Sequence, residues 1–164
     1  MAVLPIRQVP DPVLRQRAKR ITSFDGSVQR LIDNMIDTLH SAGGVGLAAN
    51  QVGVPLRLVV IHLPETEVVC LVNPEIVKRS GEREVVEGCL SIPGYQGELK
   101  RSERVVVKGH DRWGREVRLR AEELMAQALE HEIDHLNGIL YIDRVEGPDK
   151  LTRIKPEAEA EPGM

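Results

Sequence analysis

Apolar residues recur along the chain with two different periods. Between Asp25 and His40, Val28, Leu31, Ile32, Met35, Ile36 and Leu39 fall three and four positions apart. That spacing gathers side chains on one face of a helix and predicts an amphipathic one. The pattern stops at Ser41-Ala42-Gly43-Gly44, whose glycines accept backbone angles other residues resist. A shorter helix is predicted over 11–20, with Asp11 placed to cap and Pro12 at the first helical position. The middle of the chain is different. Residues 56–63 (LRLVVIHL) and 67–74 (EVVCLVNP) are branched, apolar runs bounded by prolines, which predicts buried strands. Residues 103–111 and 115–121 flank Trp113-Gly114 and predict a hairpin. Residues 121–138 return to strong helix formers, and Asn137-Gly138 is a good stop.

The closing stretch RIKPEAEAEPGM is polar, acidic and broken by prolines, with little to bury. The expected organisation is one domain over residues 1–147 and a short polar, disordered tail over 148–164. A chain of 164 residues is long enough for a sizeable core. Aromatic residues make up only 2%, so that core must rest on Val, Leu, Ile and Ala. A net charge of −3 supplies no overall basic field for phosphates, and no nucleic-acid site is inferred. Prolines 5, 10 and 12 break the apolar start, so it does not read as a signal peptide, and no run reaches the roughly 18 apolar residues of a membrane span. Two cysteines, Cys70 and Cys89, make no disulfide framework, which points to a reducing cytoplasm.

The sharpest chemical signal lies in the last predicted helix. HEIDH places His131 and His135 four residues apart, about 40° past one full turn, so both imidazoles lie on one face. Glu132 stands beside the first of them. This HExxH pattern suits two metal-ligating histidines and a glutamate acting as general base. It also suits a helix with two solvated histidines. The register favours the former, because Leu124, Ala128 and His131 share a stripe and the histidine face continues an apolar one. A buried pair of imidazoles needs partners for its ring nitrogens, and a metal provides them. Catalytic sites generally use three protein ligands and keep a position open. The third ligand is to be sought among Asp, Glu, His or Cys, and upstream stands Cys89, in EGCLSIPG. By itself Cys89 reads equally as a packing residue, a nucleophile, half of a bridge or a ligand.

Three segments taken in order narrow these choices. GVGLAANQ (44–51), EGCLS (87–91) and HEIDH (131–135) resemble the three motifs of the peptide deformylases, and the likeness runs over about residues 3–145. The resemblance implies an α+β fold, with antiparallel β-sheets packed around a central helix carrying HExxH and with an N-terminal helix. It implies a hydrolase that removes the formyl group from N-formylmethionine of newly synthesised polypeptides and releases formate. A metal-activated water would attack the formyl carbonyl, with Glu132 as general acid/base. The metal ligands carry over to Cys89, His131 and His135, and the oxyanion donors to the Gln51 amide and the Leu90 N–H. Val45 and Gly46 would line the substrate channel. By helix register Leu124 and Ala128 would line the methionine pocket, with Val45 opposite and Gln127 at the rim.

The implied cofactor is one divalent ion per chain, Fe2+ in the cell, with Ni2+, Co2+ or Zn2+ able to substitute. The implied partners are N-formylmethionyl nascent peptides and a transient ribosome contact, for a bacterial-type cytoplasmic monomer. Glu130 stands where the family often has glutamine and is expected to point away from the metal. Arg101 is expected to pair with Glu87 and fix the cysteine loop.

Three rival functions remain to be separated. A metallopeptidase would share the helix but leaves EGCLS and GVGLAANQ unexplained. A thiol enzyme with Cys89 as nucleophile leaves Glu132 and one histidine idle. A structural metal module needs a closed set of four ligands. Elsewhere, Cys70 reads as core, and His40, His62 and His110 sit at no ligand spacing.

Overall fold

Helix α1 spans Gly26–Ala42, and the Asp25 side chain caps it by accepting hydrogen bonds from the Ser27 and Val28 N–H groups. It ends where Gly43 turns left-handed at φ 68°, donating back to the carbonyls of His40 and Leu39. Val28, Ile32, Met35 and Leu39 are buried on one face, as their spacing predicts. The computed structural model describes residues 2–154.

The helix predicted over 11–20 is much shorter. Only Pro12–Arg15 winds, as one 3-10 turn capped by Asp11. Beyond it Gln16 is extended, and the N–H groups of Ala18 and Lys19 go to Leu136 O and Pro55 O. Those donors satisfy other elements, so the helix has no bonds left with which to continue.

Among the described residues eight strands form two antiparallel sheets. β1 (Gly46–Ala48), β2 (Leu58–Ile61), β3 (Val69–Ser80), β6 (Arg104–His110) and β7 (Glu116–Glu122) form a five-stranded sheet in the order β1-β2-β3-β6-β7. β4 (Arg83–Cys89), β5 (Ile92–Arg101) and β8 (Leu151–Arg153) form a smaller one in the order β4-β5-β8. The predicted hairpin is β6–β7, paired from Arg104↔Glu122 to His110↔Glu116. β3 runs well past Pro74, where the predicted strand ended. A register shift between Val72 and Glu75, with Asn73 at φ 52°, carries it beyond the proline.

Helix α2 (Glu123–Leu136) leaves β7 directly. Alternate residues of the large sheet face opposite sides. Val59, Ile61, Leu71, Val105 and Val107 pack with Ala128, Leu129, Ile133 and Leu136 of α2. Leu58, Val60 and Val72 pack on the other side with Ile32, Met35 and Leu39 of α1. A third cluster, Leu14, Val85, Cys89, Ile92, Leu99, Leu140 and Tyr141, joins the small sheet to the segment after α2.

Residues 148–153, placed in the expected tail, are structured. Pro148–Lys150 makes a 3-10 turn, and β8 pairs Leu151, Thr152 and Arg153 with Gly97, Gln96 and Tyr95. The backbone of β5 offers this segment hydrogen bonds that its own composition does not advertise. The rest of the expected tail, residues 155–164, lies outside the described residues. Among the described residues no helix is long and apolar enough to cross a membrane.

Candidate functional site

The C-terminal part of α2, Ala126–Leu136, is buried all round rather than on one stripe. His131 and His135 therefore both point into protein, with their Nε2 atoms 3.2 Å apart. Cys89 ends β4 and brings its Sγ to 3.4 Å from His135 Nε2. These three ligand atoms all lie within 4.8 Å of one another. Two local features aim the thiol. A register shift between Glu87 and Cys89 turns the strand, and the Cys89↔Ile92 pair closes a tight turn over Leu90-Ser91.

The donor set suits a divalent cation. His131 Nδ1 lies 2.7 Å from Glu87 Oε1. Burial would raise the Glu87 carboxyl, but hydrogen bonds from Arg101 and His131 outweigh it and hold the group down at about 2. An ionised Glu87 makes Nδ1 the donor, which leaves the His131 Nε2 lone pair facing His135 and Cys89. Burial opposes charge on both rings; Glu132, Cys89 and Glu87 nevertheless raise the proton affinity of His131, so a cation at Nε2 would compete with a proton there, while burial and His131 hold His135 well below the ordinary range. Three soft or intermediate donors aimed at one point are what a first-row metal satisfies.

Glu132 sits beside this point, fully buried, and neither carboxylate oxygen takes a hydrogen bond from the described protein. Burial pushes its carboxyl up to about 7. Gly46 makes room for it: a Cβ there would stand 2.5 Å from Glu132 Oε2. The missing side chain in GVGLAANQ thus serves the glutamate.

Gln51 is held by its own oxygen, which accepts from Ala48 N–H at 2.9 Å. Its Nε2 then donates to Ser91 Oγ at 3.0 Å and lies 3.6 Å from Cys89 Sγ. The Leu90 N–H, in the turn between β4 and β5, donates to no backbone acceptor among the described residues. Val45 and Ala128 are buried in one apolar cluster. Leu124 is not brought to them. It is half-buried on a groove with Arg83, Glu103, Arg104, Glu122 and Gln127.

Arg101 pairs with Glu87 as expected, through Nε at 2.7 Å and Nη2 at 2.9 Å, with both side chains buried. Glu130 points away from the histidines and is employed there. It accepts from Ser102 N–H at 2.7 Å and Ser102 Oγ at 3.0 Å and pairs with Arg79, tying α2 to the β5–β6 turn.

Several supporting residues were not singled out by the sequence, although Asn50 lies within GVGLAANQ. Asn50 Nδ2 donates to His135 O at 2.9 Å, Arg57 donates to Leu136 O, and the Tyr141 ring stacks on His131. His40 and His62, far apart in sequence, share a 2.8 Å hydrogen bond. Cys70 is packed beside the α1 core, and burial pushes its thiol up to about 12.

A thiol and two imidazoles converging beside a carboxylate without hydrogen-bond partners among the described residues, on an α+β frame of antiparallel sheets, have the make-up of a metal-assisted hydrolase centre. Comparison with known proteins narrows the class. A sequence model of the family described as polypeptide deformylase matches residues 3–151, and the chain belongs to that family, whose activity is removal of the N-formyl group from nascent peptides. It is 57% identical over 160 residues to the peptide deformylase of Dehalococcoides mccartyi strain CBDB1, covering 97% of this chain and 96% of that one. Among solved structures it resembles the peptide deformylase of Legionella pneumophila, with a TM-score of 0.86 and 47% identity over 90% of this chain and 88% of that one. It also resembles the enzyme of Thermotoga maritima, with a TM-score of 0.86 and 41% identity over 88% and 99% of the two chains.

Proposed function

We propose that Cys89, His131 and His135 hold one divalent ion, Fe2+ in the cell, and that this centre hydrolyses the formamide of N-formylmethionyl nascent peptides. The observation that carries the reading is the convergence of those three side chains beside Glu132, whose oxygens take no hydrogen bond from the described protein. A bound divalent ion acidifies water and polarises a carbonyl. Glu132 then takes the water's proton and hands it to the departing amine nitrogen, a role suited to a carboxyl with affinity for protons near neutrality. The Gln51 amide and the Leu90 N–H flank the cysteine and donate to the oxygen that gains charge as the carbonyl becomes tetrahedral. One such donor is typically worth about 3–4 kcal/mol. The set of one thiolate and two imidazoles also accepts Ni2+, Co2+ or Zn2+.

The central place of the histidine helix between the two sheets belongs to this reading and is supported by the burial of Ala126–Leu136. So does a pocket for the methionine side chain formed by Val45, Gly46 and Ala128, without Leu124, which lies on the charged groove. Because Val45 and Ala128 already share an apolar cluster, a larger residue at 128 competes with the substrate for that space. Ala128→Trp is expected to raise the Michaelis constant for formyl-Met peptides by about tenfold or more. Unchanged kinetics in a folded variant would remove Ala128 from the pocket. The setting we infer is a cytoplasmic monomer that meets its substrate during transient contact with the ribosome.

The test is anaerobic purification with metal analysis, followed by formate release from formyl-Met-Ala beside the unformylated peptide. One metal per chain and action on the formylated peptide alone are expected. Cleavage of the unformylated peptide bond would favour a metallopeptidase, and activity indifferent to chelators would favour a thiol enzyme.

A further inference from the structure

The Glu87–Arg101 pair does not end at Arg101. Its remaining nitrogen, Nη1, donates to Asp134 Oδ2 at 2.8 Å. Asp134 in turn is gripped by Arg144, through Nε to Oδ2 at 2.6 Å and Nη2 to Oδ1 at 2.8 Å. A continuous line therefore runs from His131 through Glu87, Arg101 and Asp134 to Arg144. The exposure of the charged side chains rises from 0% at Glu87, through 3% at Arg101 and 9% at Asp134, to 41% at Arg144. The segment that bears Arg144 touches the site a second time, because Tyr141 stacks on the His131 ring. Arg144 N–H is itself tied to Tyr141 O at 2.9 Å.

We propose that Asp134 and Arg144 are positioning residues for the metal ligand His131. The inference rests on the reading above that His131 is such a ligand. Two carboxylates, Glu87 and Asp134, face two guanidiniums, the buried Arg101 and the partly exposed Arg144, so the formal charges of the cluster balance. Arg101 alone touches both carboxylates. It gives Glu87 a two-point grip and Asp134 a single bond. That division holds only while Arg144 satisfies Asp134 from the other side. Without Arg144, Asp134 draws on Arg101 alone, and what Arg101 yields to it is taken from Glu87. Glu87 is the group that fixes the tautomer and the orientation of the His131 ring. Partners of this outer kind commonly change metal affinity by about 10–100-fold.

The bland alternative is that Arg144 only anchors the chain after α2. The two differ in what the metal reports. The full-length protein, loaded anaerobically with Co2+, is compared with Arg144→Gln, Arg144→Lys and the double variant Asp134→Asn/Arg144→Gln. The readouts are the visible spectrum of bound Co2+ and its release rate to excess chelator, below the melting temperature of each. Arg144→Gln is expected to shift the spectrum and to release Co2+ about tenfold faster, a step inside the outer-partner range. Arg144→Lys, which keeps the charge but not the fork, should fall between. The double variant should be no worse than Arg144→Gln, because the pair acts as a unit. Wild-type spectrum and release rate in Arg144→Gln overturn the proposal, whatever its melting temperature. If that variant does not fold, the same result in Arg144→Lys overturns it. A wild-type protein that binds no Co2+ at one per chain overturns the metal reading itself, and this inference with it.

Discussion

Glu132→Ala is expected to yield a folded protein that binds its metal in full and releases formate about 10²–10⁴-fold more slowly. The carboxylate lies outside the set Cys89, His131 and His135, so its loss leaves the ligands in place. Its effect on folding should run against its effect on turnover. Glu132 is fully buried, takes no hydrogen bond from the described protein, and is pushed up to about 7 by burial. A group held at such a cost destabilises the fold it serves, so the alanine variant should melt no lower than wild type, and the two can be compared directly. Metal analysis, a formate assay and a thermal melt on one preparation check all three parts. His131→Ala is the contrast, since it should lose metal and turnover together. An alanine variant at 132 that still deformylates would sink the proposed mechanism.

The largest expected effect on stability is at Arg101. Arg101→Ala removes the guanidinium that meets Glu87 and Asp134, whose side chains are 0% and 9% exposed. Breaking a buried pair from one side typically costs about 3–5 kcal/mol, because the stranded charge finds no water. Glu87 would be stranded most completely, with only His131 left to it. Denaturant unfolding of the metal-free protein should therefore show a loss of that order, and metal retention should fall as His131 loses a firmly held partner. An Arg101→Ala protein that unfolds at the wild-type midpoint would mean that the network relaxes around the gap.

Much of this was legible because periodicity and motif agreed. The spacing of Val28, Ile32, Met35 and Leu39 marked α1 to within two residues at each end, and HEIDH marked the face of α2 that meets Cys89. What escaped was decided by partners distant in sequence. Residues 11–20 have helical signals, but their backbone donors are taken by Leu136 and Pro55. β4 and β5 carry too many polar residues to look like core strands, since the small sheet buries mainly alternate positions. Leu124 shares a stripe with Ala128 in sequence, yet α2 emerges from the sheet edge there and leaves Leu124 on a charged groove. Glu130, an apparent departure from the family pattern, is explained only by Ser102 and Arg79. Asp134 stood in plain view inside HEIDH, but a motif written as HExxH says nothing about its variable positions.

The three residues of β8 bear on more than the length of the domain. They lie along the side of β5 that β4 does not cover, and pair with Tyr95, Gln96 and Gly97. A strand left open on one side is a template on which another chain can add itself, and such edges seed aggregation. β5 also begins at Ile92, only three residues after the cysteine that the metal reading requires. The last described strand of the chain therefore covers Tyr95–Gly97 of the hairpin that carries Cys89, and a version of the protein trimmed at residue 147 is expected to bare that stretch of β5 close to the proposed metal site.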